Sequence, residues 1–236
     1  MPLAVLQSDH ADSISVLKKM HDKYSGQWYK SFTFTQTTER YKRDTLVDTQ
    51  TWYEALKLPD LFRIDFGDLK DGNAVIFHRD SMYIFRHDSL KRKEVNDDNL
   101  TFLLGGMYFI PFDSVTVHLN ALNYDLQKFH EDTFMGKPVY VIGANKAGEK
   151  VNQLWIEQDR LILLRFIEYT DGRKSEGVFE NHLPFEGGWC EQKCSFYFDD
   201  QLAQVEYYHN CKANVSLDDA IFDPKMFGKV HWYQKD

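Results

Sequence analysis

Between Trp52 and Phe85 the chain alternates in a way that few folds accept. From Leu61 onward, Phe62, Ile64 and Phe66 share one parity while Arg63 and Asp65 share the other, the period of a β-strand. Residues 74–77 and 82–85, all apolar or aromatic, flank His78-Arg79-Asp80-Ser81, which reads as a hairpin. These two strands are apolar on both faces. That fits a sheet with something packed on each side, or a sheet curved around an apolar cavity. No catalytic group is anchored in this stretch.

Composition narrows the class. A chain of 236 residues with 43% hydrophobic content is too apolar to be disordered and long enough to bury roughly 70–75% of its unfolded surface. Mean hydropathy of -0.51, without a long uncharged apolar run, argues against a membrane-spanning helix. The net charge of -8 and the shortness of Lys91-Arg92-Lys93 argue against nucleic acid and anionic membranes as partners. Residues 1–7 lack the basic start and full apolar core of a secretory signal, so the chain reads either as cytoplasmic or as a mature form.

Helix is expected over 13–24, where Ile14, Leu17, Met20, His21 and Tyr24 recur at helical spacing, Asp12 or Ser13 offers a cap and Gly26 a stop. Strands are expected over 28–38, 40–56 and 61–66, then from 125 onward at 126–131, 139–144, 151–157, 161–169 and 177–183. The last pair is 192–198 with 202–208. Between them, 97–124 is a helical insert: Asp97-Asp98-Asn99 can cap a short helix, Gly105-Gly106 weakens it and Pro111 ends it. Without repeats or a composition break, 1–236 reads as a single domain.

Three cysteines, Cys190, Cys194 and Cys211, cluster near the C-terminus. If Asp199 faces Leu202 across the final turn, Cys190 falls opposite Cys211 and Cys194 opposite Tyr207. A Cys190–Cys211 disulfide is then expected, against the alternative of three reduced structural thiols.

Motifs for catalysis are missing. The nine histidines show no metal-ligand spacing, and no G-x-S-x-G, G-x-G-x-x-G or phosphate loop occurs. The acidic pairs Asp97-Asp98, Asp199-Asp200 and Asp218-Asp219 sit where turns and caps use them. No metal and no cofactor are expected.

The order of elements resembles the lipoprotein-carrier family of LolA/LolB type, the outer-membrane lipoprotein-sorting proteins. The resemblance rests on the helix ending at Tyr24 and leading to Phe32-Thr33-Phe34-Thr35-Gln36, and on the Trp strand running to Pro59-Asp60-Leu61-Phe62-Arg63. It continues through the hairpin at 75–85, through Leu154-Trp155-Ile156-Glu157 before residues 161–165, and ends on 217–224. It covers roughly 13–227. One departure is plain: the best-studied carriers have Arg directly before the Pro, where this chain has Leu58.

The resemblance implies an α+β, mostly antiparallel, incomplete β-barrel with helices over its concave face, a periplasmic location and no enzymatic role. Phe62, Ile64, Phe66, Ile76, Tyr83 and Phe85 are expected to line the cavity, and Leu100, Leu103, Leu104 and Tyr108 to form its lid. The partners implied are acyl chains of lipoproteins or other lipids, with envelope proteins as further candidates. Two alternatives stand beside this: an envelope interaction module on the same fold, and a small-molecule enzyme if polar groups such as Arg63 or Glu168 turn inward.

Overall fold

A computed structural model describes residues 11–96 and 99–233. In chain order its elements are α1 (Ser13–Tyr24), β1 (Ser31–Lys42), β2 (Thr45–Lys57), β3 (Leu61–Phe66), β4 (Ala74–His78), β5 (Ser81–Arg86) and β6 (Ser89–Val95). The helical insert follows as α2 (Leu100–Leu103), a 3-10 turn at Gly106–Phe109 and α3 (Phe112–Ala121). Then come β7 (Phe129–Phe134), β8 (Lys137–Ile142), β9 (Gln153–Glu157), β10 (Leu163–Thr170), β11 (Arg173–Glu180), β12 (Leu183–Phe185), β13 (Gly188–Cys190), β14 (Lys193–Phe198) and β15 (Gln201–Ala213).

Thirteen strands form one sheet in the order β6-β5-β4-β3-β2-β1-β15-β14-β11-β10-β9-β8-β7, while β12 and β13 make a separate hairpin. All pairings in the large sheet are antiparallel. Two meanders are therefore stitched together where the first strand meets the last. Edges β6 and β7 are not paired with each other, so the sheet stays open as a half-barrel. The helical insert is the chain's path from one edge to the other, and this connection carries it over the concave face.

Local chemistry explains most of the elements. Asp12 caps α1 by accepting from Ser15 N at 2.7 Å, and Ser15 Oγ accepts from Asp12 N at 3.0 Å, a capping box. Val16, Leu17, Met20 and Tyr24 bury their face in the core while Ile14 is exposed. The hairpin at 74–86 turns at Arg79-Asp80 as its sequence indicates. Strand β6 has no apolar alternation and is exposed along its whole length. Its Lys91-Arg92-Lys93 run is an edge-strand charge cluster of the kind that discourages edge-to-edge pairing.

Three expectations need correction: the extent of the helix after residue 99, the register of the last hairpin and the Cys190–Cys211 bond. Helix α2 stops at Leu103 rather than reaching Tyr108, because Gly105 and Gly106 are spent on close approach to the body of the protein. A Cβ on Gly106 would stand 3.2 Å from Pro59 O and 2.9 Å from Thr101 O of α2 itself. The capping role given to Asp97-Asp98 lies outside the described residues. The last hairpin is tighter than assumed: Phe198 pairs with Gln201 around Asp199 and Asp200, both at positive φ, as a two-residue turn requires. Cys194 thus opposes Glu206, not Tyr207, and Cys190 lies in β13 opposite Leu183. The thiols are unbonded, yet Cys190 Sγ still lies 3.8 Å from Cys211 Sγ.

The convex face of β2–β5 is covered by the C-terminal segment. Ala55, Ile221 and Phe222 form a small core there with Leu61, Leu217, Val230 and Trp232. Arg63 holds Asp65 through two bonds of 2.8 and 2.9 Å, donates to Ile221 O and Val230 O, and lies 5.0 Å from the Phe227 ring centroid. Trp232 Nε1 donates to Asp65 at 2.9 Å.

Candidate functional site

Cross-strand partners share a face, so the register dictates what the half-barrel encloses. On β1 the inward residues are Phe32 and Phe34, followed by Gln36 and Thr38. Their partners on β2 are Leu56, Glu54, Trp52 and Gln50, and those of Leu56 and Glu54 on β3 are Phe62 and Ile64. On the other side, Tyr208 opposes Gln36, Glu206 opposes Thr38, and Phe196 opposes Gln204. These rows bound a cavity of about 360 Å³, roofed by Leu100, Thr101 and Leu104. Aromatic rings build its wall: Tyr29–Phe32 at 5.3 Å, Phe32–Phe34 at 4.7 Å, Phe34–Tyr208 at 4.3 Å and Phe62–Phe77 at 5.6 Å between centroids. A volume of this size falls in the range of small-ligand sites.

The lid is seated by contacts between large and absent side chains. Tyr108 lies 4.9 Å from Trp28 and 5.3 Å from Tyr24 between ring centroids. Gly105 rests against Trp28 and Leu58. At the position before Pro59 the contact to the lid is thus apolar, made by a buried Leu58. The β12–β13 hairpin closes the same end, with Phe185 edge-on to Tyr29 at 5.8 Å and Phe32 at 5.4 Å.

Within this apolar cavity stand three acidic side chains, Glu54, Glu191 and Glu206, each residue less than a tenth exposed. Glu206 accepts from Gln204 Nε2 at 2.6 Å and from the Tyr208 hydroxyl at 3.3 Å. Burial first, then the charges of Cys211 and Glu206, push the Glu191 carboxyl up to about 8 from an ordinary 4.5. Burial likewise raises Tyr208 well above the ordinary phenol value, reinforced by Cys194, Glu206, Glu191 and Glu54. No lysine, arginine or histidine is among the lining residues. A neighbouring space of about 300 Å³ shares Phe62, Phe77 and Thr101 with the cavity and is more polar, with Asp60, Arg79, Asp80, Asn99 and His118 on its walls.

The residues picked from sequence divide cleanly. Phe62, Ile64, Leu100 and Leu104 line the cavity. Phe66 shares their face but is engaged edge-on with Trp52 at 4.8 Å, outside the lining. Leu103 and Tyr108 are buried in the core beneath the lid. Ile76, Tyr83 and Phe85 are on the opposite face, because Ile76 pairs with both Arg63 and Tyr83, and Phe85 with Ala74. Phe85 stacks on Phe227 at 4.1 Å. Arg63 is on that outer face too, and Glu168 accepts from the Tyr124 hydroxyl at 2.7 Å, away from the cavity. The polar groups that do turn inward were not selected. Glu54 was legible, since it shares parity with Trp52 and Leu56. Glu191, in the link between β13 and β14, gave no signal.

Among the described residues no group of three or more His, Cys, Asp and Glu is placed to hold a metal ion, and no helix is long and apolar enough to cross a membrane.

No protein-family model matches the chain, and no curated protein matches it by sequence. Solved structures do. A DUF1329 family protein from Desulfovibrio piger superposes with a TM-score of 0.66 at 15% identity, covering 92% of this chain and 100% of that one. A domain assigned as an outer membrane lipoprotein-sorting protein from Vibrio parahaemolyticus gives 0.63 at 11% identity, covering 91% and 97%. A LolA superfamily protein from Nitrosomonas europaea gives 0.59 at 15% identity, covering 93% and 98%. The chain has the LolA-like fold.

Proposed function

We propose that this chain is a lipid- or lipoprotein-binding carrier that shelters acyl chains between the half-barrel and its lid, acting in the periplasm without catalysis. The observation that carries the reading is the apolar cavity itself, half-open to solvent and walled by Phe32, Phe34, Trp52, Leu56, Phe62, Ile64 and Phe77 under Leu100 and Leu104. The likeness to a lipoprotein-sorting domain and to a LolA superfamily protein supports it.

The driving force is adequate. Transfer of an acyl chain from water is worth ~0.8 kcal/mol per buried CH₂, so ten buried methylenes supply roughly 8 kcal/mol before the costs of ordering. A carrier must also release its load, and the lid meets that need. Its seat is short, helical for only one turn at Leu100–Leu103, and broken by two glycines, so opening disturbs few backbone hydrogen bonds.

Leu58, where the carriers have Arg, favours a second reading in which the fold serves as an envelope interaction module without cargo. Native mass spectrometry of protein purified from its own host, followed by organic extraction, separates the two. The carrier reading expects a bound mass released as acyl-containing lipid. A persistently empty protein after incubation with lipoprotein or phospholipid supports the module instead.

A further inference from the structure

We infer that the cavity takes an amphiphile whose polar head carries a protonated amine, held by Glu191 and Glu206 beside Glu54 while its chain lies along the aromatic wall. This rests on the carrier reading above and specifies the chemical class of its ligand.

The cavity is apolar apart from a cluster at one place, and everything ionisable with an ordinary charge there is acidic. At pH 8.5, above the Glu191 value of about 8, an anionic head would meet Glu191 ionised beside Glu206 and Glu54, and like charges in a largely apolar site repel. An alcohol head brings one donor, fewer than the three of an ammonium, to the acceptors gathered there.

Glu191 is the independent pointer. The residue is 9% exposed and lines the cavity. The hydrogen bond of its carboxylate, among the described residues, is to its own backbone N–H. A buried carboxyl with no partner from another residue is costly unless something brings a donor to it. Glu206, by contrast, already accepts from Gln204 and Tyr208, which orients it toward the same space. An ammonium has three donors and no acceptor, matching a site built from acceptors. Burial and neighbouring charge that raise the Glu191 carboxyl are relieved by a cation seated among them, since an opposite charge favours the ionised form.

The test uses the full chain and three ligands of one chain length, dodecylamine, dodecanol and dodecanoate, titrated by calorimetry at pH 8.5. The expected result is dodecylamine binding about tenfold or more tighter than dodecanol, the factor a charge-assisted hydrogen bond supplies, with dodecanoate weakest. Glu191→Gln, and separately Glu206→Gln, should shrink the amine-to-alcohol ratio toward one, with thermal unfolding checked for each. Equal affinity of amine and alcohol for the wild-type chain overturns this inference and leaves the carrier reading standing. An amine preference unchanged in both variants overturns the assignment to these carboxylates. If none of the three ligands binds, the carrier reading falls and takes this inference with it.

Discussion

Gly105 lies against Trp28 so closely that a Cβ at position 105 would stand 2.7 Å from the indole Nε1 and 3.2 Å from Leu58 Cδ1. This contact holds the lid to the half-barrel. Gly105→Ala should force the indole or the lid to shift, costing about 1–3 kcal/mol as overpacking does. Amide hydrogen exchange over residues 100–109 should accelerate more than in the β-sheet, with a lower unfolding midpoint. Unchanged exchange in the lid would show that the seat is elsewhere.

Cys190 donates its S–H to Cys211 across 3.8 Å. That bond, with burial, raises the Cys190 thiol, whereas Cys211 is lowered, chiefly because it accepts the bond. Cys211 is therefore the thiolate-forming partner, and mild oxidation should join the two with a mass loss of about 2 Da, the balance of a two-thiol oxidation. Cys211→Ser should abolish the change, and Cys194, buried and raised, should stay reduced. Recovery of three free thiols after oxidation would contradict this.

Glu191 makes stability depend on pH in a direction opposite to most carboxylates. Its folded-state value of about 8 lies above the ordinary 4.5. Between these, the folded chain keeps a proton that the unfolded chain has lost, so stability falls as pH rises through that window and levels off above it, at up to about 1.4 kcal/mol per pH unit. Glu191→Gln should flatten that decline in urea titrations from pH 5 to 8. His182 acts on the acid side: burial, then Arg160 and Lys137, lower it to about 4 from 6.5, so its contribution is lost as pH falls from 6.5 toward 4.

Asp65 joins Arg63 and Trp232 in one buried network beneath the C-terminal segment. Asp65→Ala leaves a guanidinium that is 3% exposed in its side chain without its counter-charge. The expected loss is about 3–5 kcal/mol, with Trp232 emission shifting red as the segment loosens. A loss under about 1 kcal/mol would mean that the apolar contacts of Phe222 and Ile221 hold the segment alone.

The strand pattern around 61–85 was readable because period-two alternation reports burial directly. Both ways of explaining strands apolar on two faces turned out to operate together: Phe62, Ile64 and Phe77 face the cavity, while Ile76 and Phe85 face the C-terminal segment. Local pattern could not tell these faces apart, since an apolar run carries no sign of which side meets solvent-accessible space. Only the register to β3 and β5 decides it. For the same reason the sequence treats alike Phe62 and Ile64, which lie on the cavity wall, and Ile76, Tyr83 and Phe85, which lie on the face opposite it. The cavity acids carry no local signal because Glu206 acquires its setting from a strand pairing far away in sequence, opposite Thr38, and Glu191 lies in the link between β13 and β14, outside any strand. The cysteine proximity survived a register error because Cys190 arrives on its own hairpin rather than on the strand beside Cys211.

The claim that an acyl chain lies in the cavity is tested most directly through Trp52, which lines it and donates Nε1–H to Gln50 at 3.2 Å. Titration with 12-bromododecanol should quench tryptophan emission saturably, and Trp52→Phe should remove most of that quenching while Trp28, Trp155, Trp189 and Trp232 remain. A non-saturable response, or quenching as strong without Trp52, would contradict the account.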